Sequence, residues 1–118
     1  MGTLGELERA VMDALWDANG AQSAYDVQHT LEERGRTLAA TTLLTVLSRL
    51  EKKGFVASDR SARPHRYTAL ASRADHVAEL MHSVLGDARD RTAVLERFVG
   101  GVSTEDAAVL RQLLGRAS

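Results

Sequence analysis

Hydroxyl and cationic side chains gather on one side of the stretch TTLLTVLSRLEKK at 41–53. Leu43, Val46, Leu47 and Leu50 recur at the i, i+3, i+4, i+7 spacing of a helix that buries one stripe. Thr41, Thr42, Thr45, Ser48, Arg49, Lys52 and Lys53 are left on the other face. That set lacks a nucleophile with a base beside it, but it suits nucleic acid. Short hydroxyls and Arg49 match base edges in a DNA major groove, and the lysines match phosphates. The thirteen residues alone fit equally well a surface helix whose cationic end complements its own dipole. The neighbouring residues decide between the two.

Gly54 is a natural helix stop, and after it residues 55–60 and 65–70 read as short strands around a turn at 61–64 that holds the lone proline. This hairpin carries Arg60, Arg63 and Arg66 with His65 between them, while Val56, Tyr67 and Leu70 are expected to pack back on the helices. Two helices, a basic helix and a basic hairpin form the winged helix-turn-helix plan. There the wing grips the backbone beside the groove that the recognition helix occupies. The fold class expected is mainly α, with a small β-hairpin wing.

The elements that must hold this face precede it. Thr3-Leu4-Gly5-Glu6 has capping-box form, and Leu4, Leu7, Glu8, Val11, Met12 and Leu15 give a first helix an inward stripe as far as Trp16, ending near Asn19-Gly20. Ser23-Ala24-Tyr25-Asp26 starts a second helix that runs through Val27 and Leu31 until Gly35. The connection at 35–40 offers no strong cap before Thr41. The first N–H groups of the recognition helix are therefore either open to a phosphate or capped by Thr37 or water.

Charge is distributed to match. The 118 residues carry a net charge of −1, yet between Arg34 and Arg66 eight Lys/Arg stand against two acids, a local +6 in an otherwise acidic chain. A local patch of this kind attracts and orients a phosphate backbone. The absence of cysteine excludes disulfides, thiolate metal sites and a cysteine nucleophile, and agrees with a cytoplasmic location. No apolar run reaches the length of a membrane span, and Glu6 stands where a myristoylation signal wants Ser or Thr. His29, His65, His76 and His82 lack the i, i+4 pairing of a helical metal site. Asp75, His76, Glu79 and His82 read as exposed polar positions on one helix. No catalytic motif is present, so neither an enzyme nor a cofactor or metal is expected.

Residues 71–118 read as helices only. One starts at Ser72-Arg73-Ala74-Asp75, presents Val77, Leu80, Met81, Val84 and Leu85, and ends at Gly86. A short segment at 92–99 places Val94, Leu95, Phe98 and Val99 together before Gly100-Gly101 break it. A last helix from Ser103 presents Leu110, Leu113 and Leu114. Three helices this short cannot enclose a core of their own. They fold onto the winged helix or pack against the same segment of a second chain, and the second option suits a module that reads two-fold half-sites. The division expected is a DNA-binding domain at 1–70 and a dimerisation region at 71–118.

With those residues in view, the chain resembles the BlaI/MecI/CopY family of bacterial winged-helix repressors, in its penicillinase (β-lactamase) repressor branch. LGELERAVMDALW resembles the family's first helix, TTLLTVLSRLEKKGFV its recognition helix and HRYTAL its returning wing strand. The resemblance implies a homodimer joined by its C-terminal helices and bound to an inverted-repeat operator. It also implies release when a membrane-bound sensor-protease system leads to repressor cleavage. Staphylococcal members are cut at an Asn-Phe bond, and the matching position here is Arg97-Phe98. Leu44 stands where some relatives carry a basic residue, so the operator preference need not match theirs. The copper-responsive branch carries C-terminal cysteines, which this chain lacks. Two alternatives stand beside this reading: a PadR-like regulator, given YDVQHTLEERG and a basic helix ending in RLEKKG, and a winged-helix adaptor whose basic face meets an acidic protein.

Overall fold

A computed structural model describes residues 4–117, with the side chain of Ala117 left out. Thr3, the expected start of the first capping box, lies outside the described residues. Helix α1 (Glu6–Asp17) is capped from Gly5, whose N–H donates to Glu8 Oε1 at 2.9 Å. Strand β1 (Gln22–Ser23) leads into α2 (Ala24–Glu33), where Ser23 and Asp26 exchange backbone and side-chain hydrogen bonds at 3.0 and 3.1 Å. Gly35 turns the chain at φ +83°, a conformation that favours glycine. Helix α3 (Ala40–Lys52) follows, then the wing strands β2 (Val56–Asp59) and β3 (Arg66–Ala69). Helices α4 (Arg73–Gly86), α5 (Arg91–Gly101) and α6 (Thr104–Ala117) complete the order.

The hairpin is part of a three-stranded antiparallel sheet in the order β1-β3-β2, with Gln22 opposite Tyr67 and Ser58 opposite Tyr67 on the other side. The short strand β1 was not expected, because two residues give no alternation to read. It makes β3 the central strand and fastens the wing to the entry of α2.

One core unites these elements: Val11, Met12 and Leu15 of α1, Val27 and Leu31 of α2, the α3 stripe Leu43, Val46, Leu47 and Leu50, then Phe55, Val56 and Tyr67. Each large side chain buried this way contributes about 1.5–3 kcal/mol. Leu70 departs from expectation. It is 60% exposed, while its N–H donates to Phe55 O at 2.9 Å.

His76 departs further. Far from being an exposed polar position, it is 3% exposed, with its ring 5.5 Å from Trp16 and 5.4 Å edge-on from Phe55. Trp16 Nε1 donates to Ala71 O at 2.9 Å, and Arg73 lies 5.3 Å over the Trp16 ring while pairing with Asp13 and Asp17 at 3.3 and 3.0 Å. The first compact unit consequently extends to Leu80, and the second begins at Met81. The division expected at 70/71 lies ten residues earlier, because the aromatic and ionic partners of the first turn of α4 all sit on α1 and Phe55.

In the second unit, Asp90 caps α5, its carboxylate accepting from Ala93 N at 3.1 Å, and Ser103 caps α6 through Asp106 N at 3.0 Å. Gly100 and Gly101 do not break α5. They form its last turn, and the chain leaves the helix at Val102.

Candidate nucleic-acid interface

Burial of Leu43, Val46, Leu47 and Leu50 fixes the rotation of α3, so Thr41, Thr42, Thr45, Ser48, Arg49 and Lys52 all face outward and are exposed. The hydroxyl of Thr45 turns back to Thr41 O at 3.0 Å, which holds its methyl and oxygen in a defined rotamer. No side chain caps α3 at Ala39, so Thr37 does not take the role expected of it. The loop before the helix is held from behind instead, by Gln28 Nε2 donating to Leu38 O at 2.8 Å.

The expected cations divide into two sets. Among the described residues, Arg49, Lys52, Arg63 and Arg66 make no ion pair. Lys53 and Arg60 do. Lys53 Nζ donates to Glu8 Oε1 at 2.8 Å, and Glu8 is itself buried in α1. The Lys53 ammonium, followed by the Gly5 N–H, holds the Glu8 carboxyl below its usual range. This pair ties the end of α3 to α1, while the Lys53 side chain remains 39% exposed.

Glu51 plays the matching part towards the wing. It accepts from Ser58 Oγ at 2.6 Å and from Arg60 at 3.0 Å, and the Ser58 hydroxyl is the main cause that lowers its pKa. The spacing of α3 and β2 is thereby fixed by one carboxylate, a role that its place among basic neighbours did not announce. Asp59 accepts from the backbone and hydroxyl of Ser61 at 3.0 and 2.6 Å and shapes the turn. Arg63, Pro64 and His65 stand at the wing tip. Arg66 opens the central strand, close enough for its charge to lower the Asp26 pKa, after the two Ser23 hydrogen bonds that chiefly do so.

The residues expected to dimerise are exposed to differing degrees. Val77, Met81, Val84, Phe98, Leu113 and Leu114 are exposed, Val84 by 73% and Leu114 by 68%, while Leu80, Leu85 and Leu110 are half-buried. Val94, Leu95, Val99 and Val109 add to this apolar surface. Arg97-Phe98 lies within α5, where the Arg97 guanidinium donates to Ala93 O at 3.2 Å.

Comparison with known proteins gives this arrangement a context. The chain is 45% identical over 114 residues to the transcriptional regulator BlaI of Mycobacterium tuberculosis, in two strains, covering 94% of this chain and 82% of the relative. Solved structures of similar fold include RosR of H. salinarum (TM-score 0.55, 22% identity, 90% of this chain and 96% of that one) and a MarR family protein from Bacillus stearothermophilus (0.53, 17%, 98% and 74%). Bacillus subtilis PadR in complex with operator DNA also matches (0.50, 20%, 94% and 70%). At these identities the likeness is of fold alone, so the PadR-like alternative gains a shared architecture and nothing more. The penicillinase repressor family model matches residues 4–116. From the first helix to the last, the chain belongs to the penicillinase repressor family and is a DNA-binding transcriptional repressor with a winged-helix fold.

Proposed function

We propose that the chain acts in the cytoplasm as a homodimer on an inverted-repeat operator, repressing β-lactamase or other cell-wall-stress genes. The observation that carries the DNA-contacting surface is the rotation of α3. Its inner stripe is sealed, and Thr41, Thr42, Thr45, Ser48, Arg49 and Lys52 form one outward face beside the wing cations Arg63 and Arg66. Hydroxyls and Arg49 read base edges, and Lys52, Arg63 and Arg66 neutralise phosphates. Lys53 and Arg60 hold the two elements in place. Repeated apolar side chains on α4, α5 and α6 support the dimer, since covering Val84, Phe98, Leu113 and Leu114 by a second copy removes exposed apolar area from water.

Release, in this reading, follows from cleavage at Arg97-Phe98 by a membrane sensor-protease system, which separates α6 from the rest. The scissile bond sits in the helical part of α5, so the helix must open before a protease can bind an extended strand. Selection of bound sequences from random duplex DNA tests the main proposal. A palindromic consensus bound by two chains is expected, and a single asymmetric site bound by one chain would overturn it. Mass spectrometry of the protein from cells given a cell-wall antibiotic tests the release step. An intact chain with its target genes switched on would refute it.

A further inference from the structure

A large apolar side chain interrupts the polar face of α3. Leu44 lies outside the sealed stripe and is 46% exposed, on the same face as Thr41, Thr45 and Ser48. It forms one wall of a cleft of about 180 Å³ between α3, the first turn of α2 and the wing, with Tyr25, Arg63, Pro64, His65 and Tyr67 around it. Tyr25 is 75% exposed, and the lining combines apolar Leu44, Pro64 and Tyr67 with the cationic Arg63.

Leaving a leucine half in water on a face otherwise made of hydroxyls and cations forfeits burial that the core offers elsewhere. Its surroundings narrow what covers it. An anion alone satisfies Arg63 but not Leu44, and an apolar peptide satisfies Leu44 but not Arg63. Duplex DNA presents both kinds of group: phosphates along its backbone and, in the major groove, the C5-methyl group of thymine.

We infer that Leu44 reads a thymine in each half-site through its C5-methyl group, with Arg63 holding the adjacent phosphate. This rests on the DNA-binding reading of α3 and the wing, and it assigns the base class that one position of that face selects. The contact is purely apolar, so it discriminates thymine from cytosine by the methyl group and not by a hydrogen bond.

The test uses the full chain and the consensus duplex from random selection, with each thymine replaced in turn by deoxyuridine, which removes one methyl group and nothing else. Wild-type affinity is expected to fall by about fourfold at one position per half-site, the effect of burying one such carbon. Leu44→Ala should bind thymine and deoxyuridine duplexes alike at that position while keeping the wild-type salt slope. Leu44→Lys, which keeps a long stem but replaces its apolar tip, should lose the same discrimination. Equal wild-type affinity for thymine and deoxyuridine at every position would overturn the assignment, as would an undiminished penalty in both variants, while leaving DNA binding intact. Failure to select any duplex would overturn the DNA-binding reading itself.

Discussion

Replacing Lys53 with Met separates an anchoring role from a phosphate-contacting one. In the wild type, Glu8 Oε1 accepts from Lys53 Nζ at 2.8 Å and from Gly5 N at 2.9 Å, and its Oε2 is buried without a partner. Removing the ammonium leaves a buried carboxylate with one N–H. Stripping one member from a fully buried pair costs about 3–5 kcal/mol. The Lys53 side chain is 39% exposed, so water reaches the site and the cost falls to that of one charge-assisted hydrogen bond, about 2 kcal/mol. In a unit of this size that lowers the melting temperature by about 8–16 °C. The pH dependence has a definite sign. The folded-state pKa of Glu8 is depressed from 4.5, so its stabilisation is fully present above that pH and is lost as pH falls through the folded value. The gap between wild type and Lys53→Met is therefore widest near neutrality and closes in acid. Thermal unfolding at several pH values, with Glu8→Gln and the double variant to complete the cycle, measures the coupling. The anchoring role is refuted if Lys53→Met melts with the wild type and instead reduces the salt slope of DNA binding by about one.

Three further outcomes follow from the geometry. Arg49→Ala is expected to weaken specific binding by about 1–3 kcal/mol and blur one base position, whereas Arg63→Ala should weaken binding to all sequences and reduce the salt slope by about one; competition across a panel of duplexes at several salt concentrations tells them apart. A fragment ending at Leu80 should fold as a monomer by light scattering and bind a full operator far more weakly, whereas one ending at Leu70 loses the Trp16–Ala71 hydrogen bond and the His76 packing and should be less stable by about 3 kcal/mol in urea unfolding. Gly100→Ala with Gly101→Ala should stabilise α5 by about 1–2 kcal/mol, since an added Cβ meets nothing within 4 Å at either position. Trypsin cleavage after Arg97 should then slow by roughly 5–30-fold, and an unchanged rate would show that opening of α5 does not control access.

Helix α3 and its outward face were legible because period and polarity agree: four aliphatic side chains at helical spacing leave no choice about which face turns out. Both capping boxes built on Ser23 and Ser72 could be read for a similar reason, since Asp26 and Asp75 follow at the distance a side chain spans. What escaped was whatever depends on a partner remote in sequence. Glu8 and Lys53 are 45 residues apart, and Trp16 and Ala71 are 55 apart. Nothing in the neighbourhood of Lys53 distinguishes an anchor from a phosphate ligand. The one available signal was a charged residue, Glu8, inside an otherwise apolar stripe, because a carboxylate there demands a cation. His76 was hidden by its polar neighbours Asp75 and Glu79, although it falls one position before the apolar stripe that starts at Val77.

The two halves of the chain carry the same kind of pattern with opposite outcomes. Leucine at helical spacing in α3 is sealed by α1, α2 and the wing, whereas leucine at similar spacing in α6 leaves Leu113 and Leu114 exposed. Amphipathicity specifies that a face requires cover and is silent on what supplies it. In the first unit the cover is intramolecular, because the helices, hairpin and first turn of α4 enclose one core with a buried aromatic lid of His76 on Trp16 and Phe55. In the second, the exposed valines, leucines and Phe98 amount to a surface whose burial is still owed, and a second copy of the same helices offers a surface of matching composition. If the proposed dimer forms on that surface, the stability of the C-terminal helices will depend on protein concentration while the winged unit stays indifferent to it. Two unfolding transitions, the later-melting one independent of dilution and the other shifting with it, are the observable consequence.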